Sequence, residues 1–248
     1  MNIGAILLLS LSILVLLTLI ILRGRKGPRP NIRPLAAFQD LKTETGYAAE
    51  SGGAIHIALG NGAVYGEDTV TSLAGLQVLE ALANTAVSYG APPIITVGDP
   101  TLLPLAQDIL RRAYERNGLA KLYNPGRVRF IASSPMGYAA GAANMVANES
   151  ITTNMMTGAF GTEVSLISDA GARRGLPQMA AVASPHAIGA LYPVTDRLAA
   201  GEELYSAGAQ MTDRRVYLVS LVAQDILRVV LVLAILGMAG LALIEAPF

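Results

Sequence analysis

The sequence predicts an α/β protein: a parallel-sheet, Rossmann-like domain flanked by one N-terminal and one C-terminal transmembrane helix. Three observations carry this expectation. A charge-free apolar run lies near each end of the chain. Between them, short β-rich runs alternate with helical stretches. At the joints, an apolar strand end is repeatedly followed by Asp or Ser and then Pro.

Ile3 to Leu22 holds 20 residues without a charge, its only hydroxyls being Ser10, Ser12 and Thr18. As a helix it would extend about 30 Å, the thickness of the bilayer hydrocarbon. A cleaved signal peptide needs a basic start and a small-residue cleavage site. Here only Met1 and Asn2 precede the run, and Arg23-Gly24-Arg25-Lys26 follows it. Residues 1–22 therefore read as an uncleaved anchor. Val229 to Ile244 is the second charge-free run, extended by Ile226 and Leu227. Residues 213–248 read as a helix that starts near Asp213 and continues into a second span at 226–244. Arg228, at the end of that span, has a stem long enough to reach the interface. A buried core helix is the competing reading, and all-round hydrophobicity favours the membrane.

Orientation follows from the flanks. Arg23, Arg25, Lys26, Arg29 and Arg33 follow the first span, and Arg214, Arg215 and Arg228 precede or open the second. The outer flanks carry no Lys or Arg, so the expectation is a two-pass protein of the cell membrane with a cytoplasmic centre and both termini outside. Residues 23–33 hold five basic and no acidic side chains, whereas 34–212 hold 10 basic and 15 acidic ones. The basic stretch thus belongs to the lipid boundary, where each cation gains about 1 kcal/mol from anionic lipid. An acidic, aromatic-poor centre argues against nucleic-acid binding. With no cysteine, disulfides, thiolate catalysis and cysteine-ligated metals are excluded.

Residues 23–34 form a basic, Pro-rich linker whose prolines favour extended backbone. Residues 35–212 are the α/β domain. Strands are expected at 54–59, 94–97, 128–132 and 179–183, with a weaker one at 152–156. The clearest helix is Leu102 to Asn117: Leu102, Leu105, Ala106, Ile109, Leu110 and Ala113 make an apolar stripe, and Asp108 and Arg112 pair at i,i+4 on the opposite side. Asp68 to Tyr89 repeats the pattern. The joints Val97-Gly98-Asp99-Pro100, Ala132-Ser133-Ser134-Pro135 and Val182-Ala183-Ser184-Pro185 place a capping residue before a proline suited to the first helical position. Thr162 would cap the helix after Gly161. Successive βα units imply a parallel sheet.

Gly53-Ala-Ile-His-Ile-Ala-Leu-Gly-Asn-Gly-Ala-Val-Tyr-Gly-Glu-Asp68 and Pro93-Ile-Ile-Thr-Val-Gly-Asp-Pro-Thr101 resemble a family of uncharacterised bacterial membrane proteins, known only as a domain of unknown function. The resemblance covers most of residues 35–225. It implies no activity and carries over no catalytic residue.

Ligands of parallel sheets bind outside the carboxyl ends of the strands. That rim would present Asn61, Asp99, Thr101, Ser133, Ser134, Thr157, Ser184 and His186, with Glu67 and Asp68 beside them. The plainer account makes Asp68, Asp99, Ser134 and Ser184 helix caps and nothing more. Gly60-Asn61-Gly62 with Gly66 does not match the dinucleotide fingerprint, and no Gly-Lys-Ser/Thr follows, so a Walker-type site is excluded. A turn needing positive φ explains these glycines better. His56, in mid-strand, reads as a satisfied core histidine. His186, in a first helical turn, is the better catalytic candidate. Ser134-Pro135 is not a nucleophile elbow, no metal-ligand spacing is present, and no cofactor is expected.

The helix after Ser134 is nearly bare at Gly137, Ala140, Gly141 and Ala143, so its own sheet or a neighbouring subunit packs closely on it. Ala234, Gly237 and Gly240 offer a similar face in the second span. The leading expectation is a non-catalytic, homo-oligomeric membrane-anchored scaffold or assembly subunit, with the bilayer and further copies of itself as partners. A small-ligand-binding or sensory module at the strand-end rim comes second, and a hydrolase or transferase at the same rim third.

Overall fold

The computed structural model describes residues 41–212 and 225–236, with Ser10, Ile13, Leu14, Thr18, Leu35 and Phe38 as single positions. Contacts divide the chain into two compact units, Arg33–Thr212 on one hand and Met1–Ile32 with Asp213–Phe248 on the other. Most of the first predicted span, the linker, the helix start near Asp213, Gly237 and Gly240 lie outside the described residues.

Residues 33–212 contain a six-stranded, wholly parallel sheet. The elements run α1 (Leu41–Ser51), β1 (Ala54–Gly60), α2 (Thr69–Ser88), β2 (Ile94–Val97), α3 (Leu102–Arg116), β3 (Val128–Phe130), α4 (Pro135–Asn148), β4 (Ile151–Ala159), α5 (Val164–Arg173), β5 (Gln178–Val182), α6 (Pro185–Leu191), β6 (Arg197–Ala200) and α7 (Glu203–Thr212). Strand order is β3-β2-β1-β4-β5-β6. The chain winds outward from β1 to β3, returns to the centre at β4, and winds outward the other way. This is the doubly wound order, with its switch point between β1 and β4.

Alternation along the strands sorts side chains into two layers. Ile55, Ile57, Leu59, Ile95, Val97, Met155 and Met179 pack on α2, α3 and α7. Ala58, Met156, Ala180 and Val182 face α4, α5 and α6 through Tyr138, Ala142, Val164, Ile167, Ala187 and Leu191. α2 is the one helix among the described residues long and apolar enough to cross a membrane, and most of it is buried. Burial of Leu76, Val78, Leu79, Leu82 and Val87 against the sheet accounts for that composition.

Several sequence expectations need correction. The weak strand at 152–156 is the nine-residue β4, paired on both sides at the centre of the sheet. β3 ends at Phe130, although Ile131 N–H still donates to the Val97 carbonyl. β5 covers 178–182 rather than 179–183. Asp99 is not the cap of α3: Thr101 holds that position, and Asp99 Oδ1 accepts from both the Thr101 amide and hydroxyl. At α5 the cap position belongs to Glu163, not Thr162, and its carboxylate accepts from Gly161 N–H. Asp68 and Ser184 stand at cap positions without a side-chain cap bond. Ser134 does cap, accepting from Gly137 N–H at 3.3 Å. The Asp108–Arg112 pair forms at 2.7 Å.

Candidate functional site

The row His56–Asn154–Gln178 crosses three central strands in register on the α4–α6 side of the sheet. All three side chains are buried. His56 Nδ1 lies 2.8 Å from Asn154 Oδ1, and Asn154 Nδ2 donates to Gln178 Oε1 at 3.0 Å. Gln178 Nε2 donates to the Val194 carbonyl at 3.1 Å. An amide oxygen only accepts, so these bonds assign the proton to Nδ1 and leave Nε2 as acceptor for Thr96 Oγ1, 3.0 Å away. Thr96 Oγ1 lies 3.1 Å from the Tyr138 hydroxyl, which accepts from Gly60 N–H at 3.2 Å. From Thr96 through His56, Asn154 and Gln178 to the Val194 carbonyl every donor points the same way, an arrangement in which neighbouring bonds strengthen one another. Burial pushes the His56 imidazole down to about 4 and the Tyr138 phenol up. The sequence reading of His56 as a satisfied core residue agrees with this geometry. Gly171 of α5 lies over the row, where a Cβ would stand 2.7 Å from Gln178 Oε1. A larger residue there would displace the amide.

At the carboxyl ends of the strands the predicted rim residues separate. Asn61, Asp99 and Thr101 come together: Gly98 N–H donates to the Gly60 carbonyl, and the Thr101 hydroxyl accepts from Val64 N–H at 3.2 Å. These bonds lay the loop after β1 over the end of β2. Gly60 adopts φ 78°, and its missing Cβ admits the Ala159 carbonyl of β4. A Cβ on Gly62 would meet the side chains of Ala159, Ser72 and Asp68 at 2.5, 2.7 and 3.0 Å. The switch-point crevice is thus filled by the protein's own loop. Thr157 is not a rim residue: it is 0% exposed, and its hydroxyl, like that of Ser72, has no hydrogen-bond partner among the described residues. Ser133, Ser134 and His186 are exposed and Ser184 half-buried, at the ends of β3 and β5. Gly137 and Gly141 have neighbours within their own chain. A Cβ on Gly137 would meet Ser134 Oγ at 2.6 Å, and one on Gly141 would meet the Ile131 side chain. Ala234 is exposed on the helix at 225–236.

A cavity of about 510 Å³ opens at the opposite end of the sheet. Glu44 of α1, Leu176 and Pro177 before β5, Gln178 and Met179 within it, Val194 and Asp196 before β6, and Arg197 at its start line it. Hydrogen bonds hold its walls. Asp196 Oδ2 accepts from Gln178 N–H at 2.8 Å, Asp196 N–H donates to the Gln178 carbonyl at 3.1 Å, and Thr153 Oγ1 donates to Glu44 Oε2 at 3.3 Å. The lining combines two carboxylates, a guanidinium, an amide and an apolar wall. It can hold a small polar molecule carrying both signs of charge. The sequence reading missed these residues because it looked only to the carboxyl ends of the strands. Among the described residues, no group of three or more acidic or histidine side chains could hold a metal ion.

Neither the curated proteins nor the solved structures contain a match to the chain. A family model does match, over residues 1–247 and so well beyond the stretch that carries the sequence resemblance. The chain belongs to that family, a domain of unknown function designated DUF6754.

Proposed function

We propose that this chain is a two-span, membrane-anchored protein whose cytoplasmic α/β domain binds a small ligand, as a sensory or carrier module without catalysis. The cavity of about 510 Å³ at the amino ends of β5 and β6 is the observation that carries the ligand-binding part. Its size falls within the range of about 300–1,000 Å³ usual for small-molecule sites. A screen of small metabolites against the detergent-solubilised full chain tests it. A ligand should raise the melting temperature, and Val194→Trp, which fills the cavity mouth, should abolish that rise. A stabilising ligand whose effect survives Val194→Trp binds elsewhere and overturns this site.

Support for the anchors comes from the helix at 225–236. Five consecutive residues, Val229 to Leu233, are apolar and exposed, which covers more than a full turn. A helix apolar on every side needs lipid or protein around it. A periplasm-active reporter fused after Phe248 should be active, and one inserted near Gly118 inactive; the reverse pattern overturns the orientation.

The scaffold reading is second. Ala234 on that exposed helix supports it, with Gly237 and Gly240 in the same run. Packing of Gly141 on Ile131 within the chain removes the need for a second copy at α4. Light scattering should find a homo-oligomer in detergent if this reading holds, and a monomer removes it.

A further inference from the structure

We infer that the cavity at the amino ends of β5 and β6 accepts a free α-amino acid or an equally small zwitterion, its ammonium held by Glu44 and Asp196 and its carboxylate by Arg197; this rests on the ligand-binding reading above. Both signs of charge line one cavity. Glu44 comes from α1, whereas Asp196 precedes β6 and Arg197 begins it, so the charged groups approach from two different parts of the chain. Leu176, Pro177, Met179 and Val194 supply an apolar wall for a ligand side chain. A nucleotide or sugar phosphate would set several negative charges against two carboxylates, and a fatty acid would leave both carboxylates unanswered. A zwitterion brings a cation to the carboxylates and an anion to the guanidinium side of the same cavity.

The carboxylates are positioned before any ligand arrives. Asp196 is tied to the β5 backbone through Gln178 N–H, and Glu44 to β4 through the Thr153 hydroxyl. Each of these bonds uses one carboxylate oxygen. Such prior ordering lowers the entropic cost of binding. The cavity wall is also the end of the buried relay. Gln178 is 1% exposed and passes its side-chain bonds to Asn154 and through it to His56. A ligand that shifts Gln178 therefore alters the hydrogen bonding of an imidazole buried three strands into the sheet.

The test uses the full chain in detergent. Isothermal titration with L-leucine should show binding. Leucinamide, which lacks the carboxylate, and 4-methylpentanoate, which lacks the ammonium, should each bind about tenfold more weakly or worse. Glu44→Gln and Asp196→Asn keep an acceptor for Thr153 and Gln178, so the walls should persist, and each should weaken leucine by about tenfold. An unchanged melting temperature without ligand confirms that these variants fold. With ¹⁵N-labelled histidine, leucine should move the His56 imidazole resonances and leave those of exposed His186 in place. Absence of leucine binding, equal binding of 4-methylpentanoate, wild-type affinity in Asp196→Asn, or an unmoved His56 each overturns the inference. A non-zwitterionic ligand lost in Val194→Trp would do the same while leaving the cavity assignment standing; no Val194-dependent ligand of any kind would remove both.

Discussion

The two faces of one sheet are built on opposite principles. Towards α2, α3 and α7, the strands present Ile55, Ile57, Leu59, Ile95, Val97 and Met155, a dry surface in which each side chain contributes through contact and area. Towards α4, α5 and α6, the same strands carry His56, Thr96 and Asn154, each satisfied only by the next. Apolar packing degrades gradually when a methyl group is lost. A buried relay fails at once, because removing one member strands its neighbours away from water. Adjacent residues of β1 therefore belong to different energetic regimes.

Substitutions on either side test that distinction. His56→Leu preserves bulk and removes both ring nitrogens, leaving Asn154 Oδ1 without its donor and the Thr96 hydroxyl with Tyr138 alone. We expect a loss of about 3 kcal/mol. Ile57→Val, one residue along and on the other face, should cost about 1 kcal/mol. Urea titration of the full chain in detergent, followed by circular dichroism, measures both. A costlier Ile57→Val would erase the contrast.

Acid should separate the faces next. His56 titrates at about 4 in the folded protein against 6.5 ordinarily, so the unfolded chain takes up the proton first as pH falls. The stability that the neutral imidazole contributes is whole above pH 6.5, drains away between 6.5 and 4, and is gone below 4. The full difference is about 3 kcal/mol. Wild type and His56→Leu should therefore converge in stability across that window, whereas wild type and Ile57→Val should stay a constant distance apart. Parallel curves for wild type and His56→Leu would show that the imidazole is not held neutral.

The smallest effect lies outside both faces. Ser134→Ala removes an exposed cap at the start of α4 and should cost about 1 kcal/mol in the same titration. An unchanged midpoint would mean that water replaces the serine hydroxyl at Gly137 N–H.

Strands rich in β-branched residues between turn signals, such as Ile94 to Val97, were readable in the sequence, and so was the amphipathic α3. β4 was harder. Its buried positions include Thr153, Asn154 and Thr157, which resemble a polar segment until His56 and Gln178 are seen beside Asn154. Periodicity registers hydrophobicity along one segment; it does not register a polar residue satisfied from 98 residues away. β6 offers only four residues, two of them alanine. The cavity left no local trace, because Glu44, Gln178 and Asp196 belong to three separate segments and meet only when β4, β5 and β6 align. The cap-proline joints indicated the βα alternation correctly, yet only Ser134 of the three uses its side chain on the helix as expected.

The return of the chain to β4 has a consequence for synthesis. β1 is completed at Gly60, but its partner on one side extends to Ala159. At about 5–20 residues per second, the ribosome needs roughly 5–20 s to supply that partner. Throughout this interval β1, β2 and β3 can form only half a sheet, with one edge of β1 open and His56 lacking Asn154. The nascent chain thus passes through a stage in which a fully buried strand of the finished sheet offers an unpaired edge to any other strand nearby. Closing that edge and completing the histidine row are a single event, reached only when β4 has emerged.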